Sequence, residues 1–259
     1  MSDRVRWTLD ELFSRQDAAV ATNRSGLGSI LPALERALSV AFDATYQLSA
    51  SEDLRDAPPA KRIVANVLNS AWSGLVSATR LALSGDHVGA FTLLRLAFED
   101  TYHAEYFRLH PEAAEEWDAA GRLGDMNERR LYLERFARAH SVRKTLERLD
   151  DPNATRTWLF SMLSSYGSHT TPATTVMRIG RDPKRAPNLG FVSTGMRDAN
   201  RVVAGYALHI GAYMVGEFAE SFGELLTPDL LADCSEVQKS VDATREELPE
   251  RWPFQAPEQ

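Results

Sequence analysis

Apolar residues recur every three or four positions along almost the whole of this chain, and that period commits it to helices. No segment shows the strict apolar/polar alternation of a half-buried strand, and no Asn-Gly pair offers a tight β-turn. The expected architecture is a single all-α domain over residues 1–259, a bundle of eight or nine helices built around a long antiparallel helical hairpin. Turn chemistry sets the boundaries. A first helix is expected from Thr8, with Glu11 completing a capping box. A second spans about Ser29 to Leu48 and places Leu31, Leu34, Leu38, Ala41 and Phe42 on its core stripe. Pro59 opens a third, which reaches about Leu83 and carries Ile63, Val67, Leu68, Trp72, Leu75, Val76 and Leu83.

Gly85 ends that helix and Asp86 caps the next, so the third and fourth helices form the hairpin. The fourth runs to about Leu109, and Pro111 opens a short acidic helix holding Trp117. An Arg-rich helix follows from Met126 to about Leu149, then another from Ala154 to Tyr166. Residues 167–194 hold Pro172, Pro183 and Pro187 and read as a long irregular loop, the kind that carries function. A long apolar helix from Gly195 to Leu226 and a surface helix from Thr227-Pro228-Asp229 complete the chain, with a Pro-rich, frayed tail from about 249.

Composition narrows the function classes. A single cysteine, Cys234, excludes an intrachain disulfide framework and suits a reducing compartment. It lies in a helical segment with no nearby His, which fits a packing thiol. The N-terminus lacks an apolar signal region. The longest apolar stretch, Val202 to Gly216, is interrupted by His209 and falls short of the roughly 18 residues of a membrane span. A cytoplasmic protein with no membrane partner is the expectation. Net charge is −7, which opposes general affinity for nucleic acid. The charge is uneven, however: Arg122 to Arg148 holds eight basic and four acidic residues, and Arg178 to Arg201 six and two.

The segment that carries most chemical information is Gly89 to Phe107. From Phe91 to Phe98 it is apolar nearly all round, and Arg95 interrupts the run. A buried Arg needs a partner; Glu99 stands one turn on, His103 one turn further, with Tyr102 and Tyr106 beside it. The column reads either as an Arg–Glu clamp that fixes helix packing or as one wall of a polar pocket. Ser165 and His169 end a later helix and enter the loop that carries Arg178, Arg181, Lys184 and Arg185. His169 reads either as a capping residue or as a general base at the pocket mouth.

The order of these features resembles bacterial members of the HEPN superfamily, helical nucleotide-binding proteins of higher eukaryotes and prokaryotes, and most closely an uncharacterised branch of it. The carriers are Leu83-Ser-Gly-Asp86 before Ala90 to Glu99, then Leu163 to His169, then the long apolar C-terminal helix, about residues 60–225 in all. The nuclease members of that group use an Arg followed after four to six residues by a His. Arg80 to His87 and Arg135 to His140 match that spacing, but an apolar residue follows each Arg, where the family pattern places a polar one. The resemblance implies RNA or a nucleotide as ligand and a homo-oligomer. The catalytic candidates are then Arg95, Glu99 and His169, with metal-independent RNA cleavage as the reaction. His169 would act as general acid or base, and Arg95 would stabilise phosphate charge. Tyr102, His103, Ser165, Arg181, Lys184 and Arg185 are the expected ligand contacts, and no cofactor or metal is implied. Two alternatives stand beside this: a non-enzymatic interaction module with a structural Arg–Glu pair, and a metal-dependent oxidative enzyme using Glu99 and His103. An apolar surplus on Asn69–Phe107 and Gly195–Leu226 also points to self-association.

Overall fold

The computed structural model describes residues 9–139, 141–142, 155–167 and 197–245. Among these the chain is all-α, in ten helices rather than eight or nine. They are α1 (Leu9–Ser25), α2 (Ile30–Ala50), α3 (Glu52–Asp56), α4 (Pro59–Ser84), α5 (His87–Leu109), α6 (Pro111–Arg122), α7 (Met126–Ala139), α8 (Thr155–Gly167), α9 (Arg197–Phe222) and α10 (Pro228–Arg245). The extra short helix α3 is started by Ser51, whose hydroxyl accepts from Leu54 N. The Arg-rich helix α7 ends at Ala139, ten residues before the expected Leu149. Thr8, His140, the irregular loop beyond Gly167 and the tail lie outside the described residues.

Local signals place the α4–α5 junction as the sequence dictates. Gly85 sits at φ 89°, a left-handed position that a side chain would strain, and Asp86 accepts from Gly89 N at 3.0 Å to start α5. The chain reverses there, so Leu81 lies against Gly89, Gly74 against Ala97, and Ser70 Oγ donates to Asp100 at 2.7 Å. Burial pushes the Asp100 carboxyl above its ordinary range, against the Ser70 hydrogen bond that opposes it.

The core centres on α9, which packs on α2, α4, α5 and α10. At Gly211 a Cβ would meet Ala37 Cβ and Leu75 Cδ2 at 3.3 Å, so a glycine is what permits this approach. Asn200–Phe222 is long and apolar enough to cross a membrane, yet 78% of its most apolar 18-residue stretch is buried inside the bundle. It is a core helix. Its apolar surplus is covered by its own chain, so it does not supply the self-association surface expected from Gly195–Leu226.

The α2 stripe is rotated from the expected one. The buried residues are Ile30, Ala33, Leu34, Ala37, Val40, Ala41, Ala44 and Leu48. Leu31 and Leu38 are only half-buried, and Phe42 is 47% exposed. The cause is the close approach of α9. Alanines fit against Gly211 where larger side chains do not, so the bulky residues of α2 turn outward. Val76 on α4 is likewise exposed, and Trp72 is half-buried against the edge of the core.

Candidate functional site

Arg95, Glu99 and His103 do share one face of α5, a turn apart. Arg95 Nε donates to Glu99 Oε1 at 2.9 Å, and the guanidinium lies 5.6 Å from the centre of the Phe160 ring on α8. The pair is less sealed than the apolar run suggests. The two side chains keep 29% and 22% of their surface, and Leu96 beside them is 49% exposed. α5 therefore retains a partly solvent-exposed strip at Leu96, although Phe160 of α8 lies against Arg95. His103 stacks on Phe107 with ring centres 5.8 Å apart. Tyr102 departs from the column: it points into the core and is fully buried, one residue being a rotation of about 100° around a helix. Ser165 lies in the last turn of α8. The Ser165 side chain is not among the described features, and His169, Arg178, Arg181, Lys184 and Arg185 fall outside the described residues.

A denser polar cluster lies one to three turns further along α5. Glu105 accepts from Arg156 Nη1 of α8 at 2.5 Å and from the Tyr213 hydroxyl of α9. Arg108 clamps Glu217 of α9 through Nε at 3.1 Å and Nη2 at 3.3 Å, a bidentate geometry. The Arg156 guanidinium also stands 5.8 Å from the Tyr213 ring centre. Burial raises the Glu217 carboxyl above its ordinary range despite Arg108, with Glu105 and Glu220 pushing the same way. Burial and the neighbouring Glu105 also hold the Tyr213 hydroxyl protonated well beyond the usual range.

These residues were missed from sequence, although one signal was there. Glu217 is the only charged side chain between Val202 and Phe218, and the reasoning that demanded a partner for Arg95 demands one for it too. Chemically the seam joins α5 to α9 through Arg108–Glu217 and to α8 through Arg156–Glu105, with the Arg95–Glu99 pair lying within α5. Positive and negative charges balance within it, and each arginine is engaged by a carboxylate.

The other candidate residues separate. Arg80 and His87, which match the Arg-to-His spacing, serve different environments. Arg80 is exposed at the mouth of a recess between α1, α2 and α4. His87 is buried, its Nε2 2.5 Å from Asn200 Oδ1 on α9, and burial lowers its pKa against the opposing effects of Asn200 and Asp86. Glu99 and His103 gain no third ligand: among the described residues no three His, Cys, Asp or Glu side chains converge as a metal site would require. Cys234 is buried, and burial together with Asp233 pushes its thiol up to about 11, the character of an inert packing residue.

The recess has a volume of about 290 Å³ and is lined by Val20, Leu31, Leu34, Leu38, Val76 and Leu83, with Arg24, Glu35, Thr79 and Arg80 at its polar edge. Arg24 is held by Glu35 at 2.5 Å. It lies on α1, α2 and α4, so it is not the polar pocket anticipated beside Arg95. No family model, characterised protein or solved structure matches the chain.

Proposed function

We propose that the chain is a non-enzymatic helical interaction module in which the Arg95–Glu99 pair is a packing clamp. The single observation that carries this reading is the pairing of the seam: Arg95, Arg108 and Arg156 are each bound to a carboxylate. An arginine that must stabilise a phosphate needs free donors aimed at an open site. The open, apolar surface lies instead on the α1/α2/α4 face. The test is a low-salt titration of the purified protein with fluorescent single-stranded RNA and with a fluorescent ATP analogue. The expected result is that Arg95→Gln leaves any binding unchanged. Loss of saturable binding in Arg95→Gln at unchanged melting temperature overturns the reading.

A second reading, HEPN-like binding of RNA or a nucleotide, is favoured by α7. Its Arg129, Arg130, Arg135 and Arg138 are all exposed on a net basic helix. In this reading the loop residues Arg181, Lys184 and Arg185 add to the same basic character, and His169→Ala abolishes cleavage while sparing binding. Its mark is binding that weakens steeply with salt, by a slope that replacing Arg129, Arg130 and Arg135 with Ala reduces. Absence of binding at low salt removes it.

A further inference from the structure

Apolar side chains on the outer faces of α2 and α4 make a stripe that the bundle leaves only partly covered. Phe42, Tyr46 and Val76 are exposed, Leu31, Leu38 and Trp72 are half-buried beside them, and the buried Leu83 lies at the base of the recess. The spacings are four and seven residues, the pattern of a helix face that packs on another helix. α2 and α4 run antiparallel here: the Phe42 ring lies tilted against Trp72 with centres 5.4 Å apart, the Trp72 indole donates to Leu38 O at 3.1 Å, and Leu31 and Leu83 share the recess at the other end. From Leu31 to Tyr46 the stripe is about 22 Å long at 1.5 Å per residue.

The two ends of the stripe differ in shape and charge. One end is a hole, the 290 Å³ recess, with Arg80 at its mouth. The other end is a knob: Phe42 and Tyr46 stack on each other, and Tyr46 is 68% exposed. Asp43 stands beside the knob, exposed. Neither Arg80 nor Asp43 takes part in an ion pair among the described residues. A hole with a free cation at one end and an aromatic knob with a free carboxylate at the other are complementary under a twofold rotation about the middle of the stripe. That middle is the level of Leu38 and Ser39.

We infer that this face binds a second copy of the chain, as an isologous, antiparallel dimer in which Phe42 and Tyr46 of each protomer enter the recess of the other. The same rotation brings Asp43 of one protomer level with Arg80 of its partner, twice per dimer. The two α2–α4 pairs then form a four-helix contact, and the exposed aromatic surface is covered on both sides. The inference rests on the interaction-module reading and supplies its partner. It differs from self-association through the α9 helix, which the fold has already buried.

Sedimentation velocity at micromolar concentration tests it. The wild type is expected to sediment as a dimer, and Tyr46→Arg as a folded monomer, because Tyr46 is mostly exposed and its replacement leaves the melting curve in place. Arg80→Asp and Asp43→Arg are each expected to weaken the dimer, and their combination to restore it. Ser39→Cys, an exposed position next to the axis, is expected to cross-link to its own partner under copper–phenanthroline. Asn66→Cys, exposed but far from the axis, is expected to stay uncross-linked. A monomeric wild type overturns the inference and leaves the face to some other helix. A dimer indifferent to Tyr46→Arg, or one that cross-links equally through Asn66→Cys, overturns the placement. None of these results bears on Arg95-dependent ligand binding, so the two readings fail separately.

Discussion

The α5–α8–α9 seam and the α2–α4 face invert each other. The seam is rich in charge and each of its arginines is held by a carboxylate, whereas the face is mostly apolar, with an open recess and with Arg80 and Asp43 outside any ion pair among the described residues. The sequence draws attention to the seam, because an Arg in an apolar run is conspicuous. Recognition depends on what a surface still lacks once the chain has folded, and by that measure the α2–α4 face is the more capable one. The contrast also separates their mutational behaviour. Changes in the seam are expected to act on stability, and changes on the face on the association proposed above.

The largest effect on stability is expected at Arg108. Glu217 keeps only 7% of its side-chain surface, so Arg108→Ala leaves a carboxylate out of water without a partner. Breaking a buried pair costs about 3–5 kcal/mol, and the partial exposure of Arg108 argues for the lower end. At roughly 2–4 °C per kcal/mol for a chain of this size, the melting temperature falls by about 6–12 °C. The double change Arg108→Met, Glu217→Leu is expected to cost less than the single, since neither charge remains. A single variant that melts with the wild type would show that the seam is not a clamp.

The next effect is pH-dependent. His87 titrates normally near 6.5, and burial lowers that value in the fold. Below 6.5 the unfolded chain takes up a proton that the folded chain refuses, so stability falls as pH drops from about 6.5 toward the lowered folded value. The slope within that window is limited to about 1.4 kcal/mol per pH unit for one group. Asp100 and Glu217, whose values are raised, act in the opposite sense: their penalty grows as pH rises above the ordinary carboxylate range. The difference between wild type and His87→Gln isolates the histidine. The difference in melting temperature is expected to change between pH 7 and pH 5, and identical pH profiles would sink the assignment. Glu99→Ala follows, at about 1 kcal/mol by denaturant titration, because its half-buried pair retains water. It should still destabilise more than Arg95→Met, Glu99→Leu.

Much of the fold was legible because its signals are local. Gly85 and Asp86 mark a helix boundary by backbone conformation and capping, and Pro59, Pro111 and Pro228 open helices where their missing N–H costs nothing. The facing of α2 was not legible, since it depends on how closely α9 approaches. That is set by Gly211 against Ala37, residues far apart in sequence. Hydrophobicity alone ranks Phe42 above Ala37 as a core residue, while the space available ranks them the other way. At the site, the Arg95–Glu99 bond was legible from i,i+4 spacing. The bonds Glu105–Arg156 and Arg108–Glu217 were not, because each joins two helices whose packing no spacing rule encodes. Tyr102 shows the same limit in miniature: adjacent in sequence to His103, it belongs to the core.

The smallest expected effect is at Tyr46, and its smallness is the informative part. With 68% of its surface in water, Tyr46→Ser removes little burial and one aromatic stack on Phe42. Exposed substitutions of this kind usually change stability by no more than about 0.5 kcal/mol, so the melting temperature of the dilute protein should move by roughly 1–2 °C. At higher protein concentration the two proteins should part. A dimer that binds only the folded state raises the melting temperature with concentration by mass action, and a monomer does not. Wild type is therefore expected to melt progressively higher as concentration increases, while Tyr46→Ser shows a weaker dependence. If both curves are flat, the aromatic knob is an exposed surface without a partner copy. If both rise together, association runs through another face, and the contrast between the seam and the α2–α4 surface loses its functional meaning.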